Sequence, residues 1–264
     1  MKIVVLNKKS LVYGAAVAVL ALALVVAVAN LIPNAVAASS IAKKQLPIYS
    51  VERQDKSVSL SFDAAWGNED TQNLIDILNK YHIKATFFLV GIWVDKYPLS
   101  VKALSDNGED IMNHSNTHPH MTQLSLESML KEISACDEKI QKITGKKPIL
   151  FRAPYGDYNN TLIEALNSTG RYGIQWDVDS LDWKGISADQ ITQRVLSKVK
   201  SGSIVLFHNA ALHTPEALPG IIESLQKQGY KIIPISQLIY KDNYTIDYAG
   251  RQQPTVQMSS APLV

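Results

Sequence analysis

Cysteine is nearly absent from this sequence, since Cys136 is the one cysteine among 264 residues. A single thiol cannot form an internal disulfide, and a metal or redox site built on a CxxC motif is excluded as well. Cys136 falls on the apolar stripe of a predicted helix, between leucines and isoleucines at helical spacing. We therefore expect a small buried side chain there.

An excess of one charge is lacking too. The formal net charge is +2, and charged residues make up 19% of the chain. This balance gives no electrostatic reason to expect a nucleic-acid partner. The sequence also has no internal repeat and no glycine-rich phosphate loop. Its 46% of hydrophobic residues is typical of a globular chain with a full core, which we expect to be a monomer.

One long apolar segment lies near the N-terminus. It runs from residue 11 to about residue 32, follows three lysines, and is long enough to span a bilayer with the lysines on the cytoplasmic side. Ala35-Val36-Ala37 then has the pattern of a signal-peptidase site. The sequence predicts an extracytoplasmic protein, either anchored through residues 11–32 or secreted after cleavage near Ala37. The length of the run favours the anchor, and its basic N-terminal end disfavours a buried soluble helix.

Composition and periodicity divide the chain into four regions. We predict an anchor or signal peptide over 1–37, a polar linker over 38–54, one domain over 55–240 and a loose tail over 241–264. Within the domain, strand patterns alternate with helix patterns. Ser187 and Gln190 have capping-box spacing, and Thr214 before Pro215 is a second predicted helix start.

Seven predicted strands that alternate with helices indicate a parallel α/β domain. They are too few for an eight-stranded barrel, so a distorted (β/α) barrel with about seven strands fits better. Periodicity alone also permits a doubly wound open sheet. The predicted strands are Val58–Phe62, Ala85–Gly91, Glu109–Asn113, Ile149–Arg152, Tyr172–Val178, Ser203–His208 and Tyr230–Ile235.

Polar side chains recur where the predicted strands end. In parallel α/β folds the carboxyl ends of the strands share one edge, and ligands bind there. An acid, an arginine and several histidines delivered to one edge predict a catalytic site. These residues are Asp63, His114, His118, Arg152, Tyr155, Asp179, Asp182 and His208.

Several of these residues have a specific chemical interpretation. The "HSNTH" stretch places His114 and His118 four apart, a spacing at which two imidazoles can bind one divalent ion; a polar turn with surface histidines is the alternative. Arg152, held extended before Ala153-Pro154, could clamp a carboxylate, or it could merely tie a loop to the surface. His208 could be a general acid near neutral pH, its protonated form stabilised by a nearby carboxylate.

Together these motifs resemble the polysaccharide deacetylases, carbohydrate esterase family 4 with its NodB homology domain. The motifs "SFDAAWG", "HSNTH", "RAPYG", "DSLDW" and "LFH" follow one another in the family's order over roughly residues 55 to 240. The resemblance implies a distorted β/α barrel with fewer than eight strands. The "FD-x-x-WG" form of the first motif looks most like the sporulation-associated branch.

The resemblance also implies an activity, the hydrolysis of N-acetyl groups on a cell-wall glycan such as peptidoglycan. His114 and His118 would bind a divalent metal, zinc first and cobalt or manganese as alternatives, that activates a water molecule. Asp63 would be the general base, restrained by Arg152, and the metal and the backbone N–H of Tyr155 would stabilise the oxyanion. His208, tuned by Asp182, would protonate the leaving amine, and Trp183 and Leu206 would form the wall of the pocket.

One departure from the family pattern bears on activity. The first motif of the family carries two adjacent acids, and the second, a metal ligand, is Ala64 here. The metal could bind weakly with water in that place, Asp63 could turn inward as a ligand, or the site could be empty. We expect a metal-dependent deacetylase; a weak or inactive homologue that binds glycan or serves the spore envelope is the alternative. Ala153 and Asn209 are smaller departures, at positions where proline and aspartate are frequent.

Overall fold

The computed structural model describes residues 8–38 and 44–255. The chain divides into two compact units, one that ends at Lys44 and one that begins at Gln45. In the first unit, a single helix, α1 (Lys8–Ala38), contains the predicted apolar segment. No helix within these described residues is long and apolar enough to cross a membrane. The anchor over residues 11–32 and the cleavage site near Ala37 stay predictions.

The second unit is built from a parallel sheet and the helices that connect its strands. The helices are α2 (Thr71–Lys80), α3 (Gly91–Lys96), α4 (Pro98–Asp106), α5 (Leu126–Thr144), α6 (Asn160–Ser168), α7 (Ala188–Leu196), α8 (Thr214–Lys227) and α9 (Ile235–Leu238). The strands of this sheet are β2 (Ser57–Ala64), β3 (Thr86–Leu89), β4 (Asp110–Asn113), β5 (Leu150–Phe151), β6 (Tyr172–Gly173), β7 (Val178–Asp179), β8 (Ile204–His208) and β9 (Lys231–Ile232).

The strand order is β6-β5-β4-β3-β2-β8-β7, and β9 pairs with the start of β2. Every one of these pairings is parallel. Among the described strands no ladder joins β6 to β7, so the sheet curls into a barrel that stays open between them. The predicted distorted α/β barrel with about seven strands is confirmed. The open sheet that periodicity alone permitted is not observed.

Strand β2 shows why the two faces of the sheet differ. It reads SVSLSFDA, and all eight residues are buried. Because alternate side chains point to opposite faces, its even-numbered apolar residues pack against the helices, whereas Asp63 shares the inner face with Phe88 of the next strand. The inner face of β2 thus carries three buried serines, Ser57, Ser59 and Ser61, and ends in Asp63. The apolar residues of β2 are Val58, Leu60, Phe62 and Ala64.

Helix boundaries follow the capping chemistry in the sequence. The side chain of Ser125 accepts a hydrogen bond from the Ser128 amide at the start of α5, and Gly145 ends that helix with φ 72°. Ser187 and Gln190 form the predicted capping box of α7. Thr214 differs from the prediction: it is the first residue of α8 rather than its N-cap, because its hydroxyl donates to Asp182 instead.

One predicted strand differs in the structure. The predicted strand Tyr172–Val178 is two short strands, β6 and β7. Between them the chain leaves the sheet, and the Asp177 carboxylate accepts hydrogen bonds from the Ile204 amide and the Ser203 hydroxyl. A side chain therefore replaces backbone ladder bonds at this point.

The predicted linker and loose tail meet in a second, three-stranded sheet. Strand β1 (Ser50–Val51) pairs in parallel with β11 (Arg251–Pro254), which pairs in antiparallel with β10 (Tyr244–Ile246). The tail prediction is thus wrong for residues 244–254, because pairing between distant segments supplies order that the polar local sequence does not indicate. Residues 256–264 of the predicted tail lie outside the described residues.

Candidate active site

Asp63 lies at the carboxyl end of the central strand β2 and is almost fully buried. Arg152, which follows β5, donates from Nη1 to Asp63 Oδ1 at 2.7 Å. Its Nη2 donates to the Ser61 hydroxyl and to the Gln175 carbonyl, and its guanidinium lies over the Phe88 ring. Arg152 is fully buried, so it does not merely tie a loop to the surface. It binds the Asp63 carboxylate instead.

The charge state of Asp63 is set by two opposing effects. Burial favours the neutral acid, but the charge of the adjacent Arg152 guanidinium, together with that of His208, outweighs it and lowers the pKa of Asp63. Asp63 is therefore ionised at neutral pH. An ionised carboxylate with one oxygen held by arginine and the other free of it can accept a proton.

His208 lies directly across from Asp63, because the two are register partners on the neighbouring strands β8 and β2. Its Nδ1 is 2.8 Å from Asp182 Oδ1, and its backbone N–H donates to Asp182 Oδ2. The Thr214 hydroxyl and the Trp183 amide also donate to Asp182, which is buried and fixed in place.

The environment of His208 favours its protonated form. Burial opposes protonation, but the hydrogen bond to Asp182 and the charge of that carboxylate outweigh it and raise the pKa of His208. Asp182 also fixes Nδ1 as the bonded nitrogen, which leaves Nε2 for another partner. Histidine and aspartate thus form the predicted dyad, beside the Asp63–Arg152 pair.

His114 and His118 lie together at the end of β4, with ring centroids 5.0 Å apart. His114 Nδ1 is 2.7 Å from the carbonyl oxygen of Arg152, so this nitrogen carries the hydrogen and Nε2 presents its lone pair, 3.5 Å from Asp63 Oδ2. Burial lowers the pKa of His114 and brings that of His118 to about 4. Both imidazoles are neutral at pH 7, the form that binds metal ions.

The turn that carries the two histidines is held by helix α5. Ser115 and His118 both have positive φ, a conformation that is unfavourable for residues other than glycine. The Glu132 carboxylate of α5 accepts hydrogen bonds from the backbone amides of Asn116 and Thr117 and from the Thr117 hydroxyl. Sequence reasoning missed Glu132, since an acid on a helix surface carries no local signal of such a contact.

A second buried network holds the residue before His114. The Asn113 side chain donates to Asp137 of α5 and accepts from the Ser115 amide. Asp137 in turn pairs with Arg171, which is also buried. These residues were not predicted either; the one hint in the sequence is that Asn113 precedes the histidine motif.

Of the three metal ligands that the family resemblance implies, two remain in this chain, His114 and His118. Ala64 is 1% exposed, packs in the apolar layer between sheet and helices, and offers no ligand atom. Among the residues that the structure describes, no group of three His, Cys, Asp or Glu side chains is arranged to hold an ion. Catalytic zinc sites usually have three protein ligands and a water. His114 and His118 fit a divalent ion in chemistry and tautomer, but the donor set is one ligand short.

The remaining predicted residues surround these pairs at different depths. Tyr155 (φ 60°) and Trp183 are more than half exposed and border the site. Leu206 is buried on the same face of β8 as His208, two residues below it. Asp179, the other strand-end acid, instead accepts from the Leu181 amide, so it shapes the loop that carries Asp182.

Asn209 takes part in the site in a way that the sequence did not predict. It is buried, and its side-chain amide donates to the carbonyl oxygens of Trp66 and Gly67, while its oxygen accepts from the Ala65 amide. An aspartate could not donate these two hydrogen bonds. The asparagine at this position and the loop over residues 64–67 are therefore complementary.

Comparison with known proteins places this barrel and its site among the carbohydrate esterases of family 4. Residues 50–174 match the polysaccharide deacetylase family model. A peptidoglycan-N-acetylglucosamine deacetylase of Bacillus cereus (strain ATCC 14579) is 31% identical over 196 residues, which cover 72% of this chain and 92% of that protein. The chain belongs to the polysaccharide deacetylase family.

Other relatives differ in length and in activity. The peptidoglycan-N-acetylmuramic acid deacetylase PdaC of Bacillus subtilis is 34% identical over 189 residues, 72% of this chain but 40% of that protein. The crystal structure of a family 4 pseudoenzyme from Bacillus anthracis is similar with a TM-score of 0.71 and 35% identity, over 74% of this chain and 69% of that one. A mutant of that pseudoenzyme is described as having restored enzymatic activity. The sporulation-associated branch stays a prediction.

Proposed function

We propose that this protein hydrolyses N-acetyl groups of a cell-wall glycan, with Asp63 as general base and His208 as general acid. One observation carries the proposal: Asp63 and His208 face each other across neighbouring strands, and each has its own charge partner, Arg152 and Asp182. A base held anionic and an acid held cationic at one site are what amide hydrolysis requires.

The chemistry follows from these two charge states. Asp63 accepts a proton from the attacking water, whose oxygen forms a bond to the acetyl carbonyl carbon. Arg152 keeps the carboxylate ionised and oriented. When the carbon–nitrogen bond breaks, His208 donates its proton to the sugar nitrogen, so the products are acetate and an amino sugar. In this mechanism the backbone N–H of Tyr155 would stabilise the oxyanion, as the family resemblance implies.

A divalent ion would be held by His114 and His118. When bound, it supplies Lewis-acid activation of water and of the carbonyl oxygen. Zinc is the first choice for two neutral imidazoles, with cobalt or manganese as alternatives. With Ala64 in place of a carboxylate, the affinity for this ion is lower than that of a site with three ligands.

The substrate class is supported by the named activities of the relatives. Those relatives are deacetylases of N-acetylglucosamine and of N-acetylmuramic acid in peptidoglycan. We place this protein on the same polymer, outside the cytoplasm where that polymer lies. A single domain of this size acts on it as a monomer.

Acetate release tests the proposal directly. The full chain is incubated with peptidoglycan and with N-acetylglucosamine oligomers, with and without added zinc or cobalt. Acetate should appear, fall after chelation, and be abolished by Asp63→Asn and by His208→Ala. No acetate from any of these glycans, in the presence of metal, contradicts the proposal.

The second candidate function is glycan binding without turnover. It is favoured by the missing third ligand and by the similarity to a family pseudoenzyme. It predicts that the same oligomers bind with an affinity indifferent to metal and release no acetate. Calorimetric titration with and without a chelator separates the two candidates.

A further inference from the structure

Trp66 is a large apolar side chain that the fold leaves in solvent. It is 57% exposed, whereas Trp93 nearby is 2% exposed. A tryptophan that serves packing is buried, as Trp93 is, because exposing the indole forfeits its hydrophobic stabilisation. The exposed indole of Trp66 therefore needs another explanation.

The loop that carries Trp66 is fixed through its backbone. Asn209 binds the carbonyl oxygens of Trp66 and Gly67 and the amide of Ala65, and the Trp93 indole N–H donates to Gly67 O at 2.6 Å. Gly67 has φ 57°, and a Cβ there would lie 2.7 Å from the Ala210 Cβ. The loop is thus ordered without burial of the Trp66 ring.

The ring is placed beside the reacting groups. Trp66 comes three residues after Asp63, and its ring centroid is 5.9 Å from that of His118 in an edge-on contact. The Tyr155 ring also contacts His118 edge-on, with the ring centroids 4.7 Å apart. An exposed indole held at this distance is close enough to contact a ligand whose acetyl group reaches Asp63.

Exposed apolar residues are concentrated on this edge of the barrel. Within residues 44–255, eight large hydrophobic side chains are exposed, and five of them follow the carboxyl end of a strand of the barrel sheet by two to four residues. Exposed apolar side chains gathered beside a polar site are typical of a binding surface. The five are Trp66, Ile92, Tyr155, Trp183 and Leu212.

We propose that Trp66 binds a sugar ring next to the sugar that is deacetylated, and so makes this protein selective for an oligomer over a single sugar. A pyranose presents C–H groups on its faces, and a flat aromatic ring provides a large, rigid contact area for them. Because Asn209 orders the loop beforehand, little conformational entropy is lost on binding. This inference rests on the proposed function for its class of ligand, an N-acetylated glycan.

The test compares Trp66→Ala with the wild-type full chain. Calorimetric Kd values are measured for N-acetylglucosamine and for its tetramer, and KM and kcat are measured on the tetramer. We expect Kd and KM for the tetramer to rise about tenfold, the effect of truncating a well-placed interface aromatic. Kd for the single sugar should change less than twofold. Trp66→Phe, which keeps a ring, should recover much of the loss.

Two further variants make the result specific. Tyr248→Ala removes an aromatic that is 96% exposed and lies between β10 and β11, so it should leave both ligands unaffected. Asn209→Asp keeps the ring but removes the two donated hydrogen bonds of the loop, and it should weaken tetramer binding in the direction of Trp66→Ala.

The outcomes separate this inference from the proposed function. Tetramer binding that depends on Trp66, without release of acetate, contradicts the deacetylase proposal and leaves the stacking role standing. Acetate release with an unchanged tetramer Kd in Trp66→Ala overturns the stacking role alone. A wild-type protein that binds the tetramer no better than the single sugar overturns it as well.

Discussion

Arg152 and Asp63 are 89 positions apart in the sequence, yet their side chains form a 2.7 Å hydrogen bond in the interior of the barrel. Both are buried, so each charge depends on the other. Removing one partner of such a pair leaves the other charged and without compensation. The pair therefore links the stability of the fold to the charge state of the proposed base.

We expect Arg152→Ala to lower the free energy of unfolding by about 3–5 kcal/mol, because it leaves the buried Asp63 unpaired. Arg152→Lys should lower the free energy of unfolding by less than Arg152→Ala does. Lysine keeps the charge but cannot reproduce the planar guanidinium that also binds Ser61 and Gln175. Urea denaturation measures both. Lys102→Ala is the matched control: its ion pair with Asp106 is exposed and should be worth less than about 1 kcal/mol. Equal losses for Arg152→Ala and Lys102→Ala would contradict the buried pair.

The raised pKa of His208 predicts a pH-dependent difference between wild type and Asp182→Asn. Protonated His208 is stabilised in the folded state, so its contribution is fully present below the unfolded pKa of about 6.5. That contribution declines as the pH rises through the higher folded pKa. The stability lost in Asp182→Asn should therefore be larger at pH 6 than at pH 9, as measured by urea unfolding at both values. A loss independent of pH would show that Asp182 acts on the backbone and Thr214 alone.

The pH dependence of catalysis should also depend on the His208–Asp182 pair. If His208 is the general acid, kcat falls when it deprotonates, and Asp182→Asn should move that alkaline limb to lower pH. A pH profile of acetate release from N-acetylglucosamine tetramer measures the shift. An unchanged limb in the variant would assign the acid to another group.

Glu132 should control the order of the histidine turn. Glu132→Ala removes the acceptor of three hydrogen bonds, so the amides of Asn116 and Thr117 lose their partner. We expect hydrogen exchange at these two amides to accelerate at least about tenfold, with a stability loss of about 1–3 kcal/mol. Glu138→Ala, an exposed acid on the same helix, is the control. Unchanged exchange in Glu132→Ala would mean that the turn is held by other contacts.

Ala64→Asp restores the acid that the family's first motif carries after Asp63. Ala64 itself packs against the helices, but it is the last residue of β2, and we expect the longer carboxylate to reach past the strand end as a third ligand beside His114 and His118. Without metal, the buried carboxylate lacks a partner and should lower Tm. With zinc, the variant should bind at least about tenfold more tightly than wild type, the low end of what supporting groups around a metal contribute. Calorimetry and the zinc-dependent rise in Tm measure this without any turnover. Ala65→Asp adds the same charge one position along and should not gain affinity; equal affinity in all three proteins would refute the missing-ligand interpretation.

Much of the fold could be predicted because its signals are local. The alternation of apolar and polar residues in β2, the capping box at Ser187 and the glycine after α5 each act over a few residues. The second sheet could not be predicted, because its order comes from pairing between residues near 50 and residues near 250. The break between β6 and β7 has no local signal for the same reason, since the Asp177 side chain there binds the Ile204 amide of a distant strand.

The amino-acid sequence alone shows which chemical groups are available: an acid at the end of β2, two histidines four apart, an arginine before Ala-Pro, a histidine at the end of β8, and no second acid at position 64. How these groups are paired and charged follows from the packing of the fold. Parallel strands bring Asp63 opposite His208 and bury Arg152 against it, and burial with a specific partner sets each pKa. The packing also determines that Glu132 holds the histidine turn and that Asn209 orders an exposed Trp66. Such contacts depend on where distant segments meet, and no local pattern encodes that.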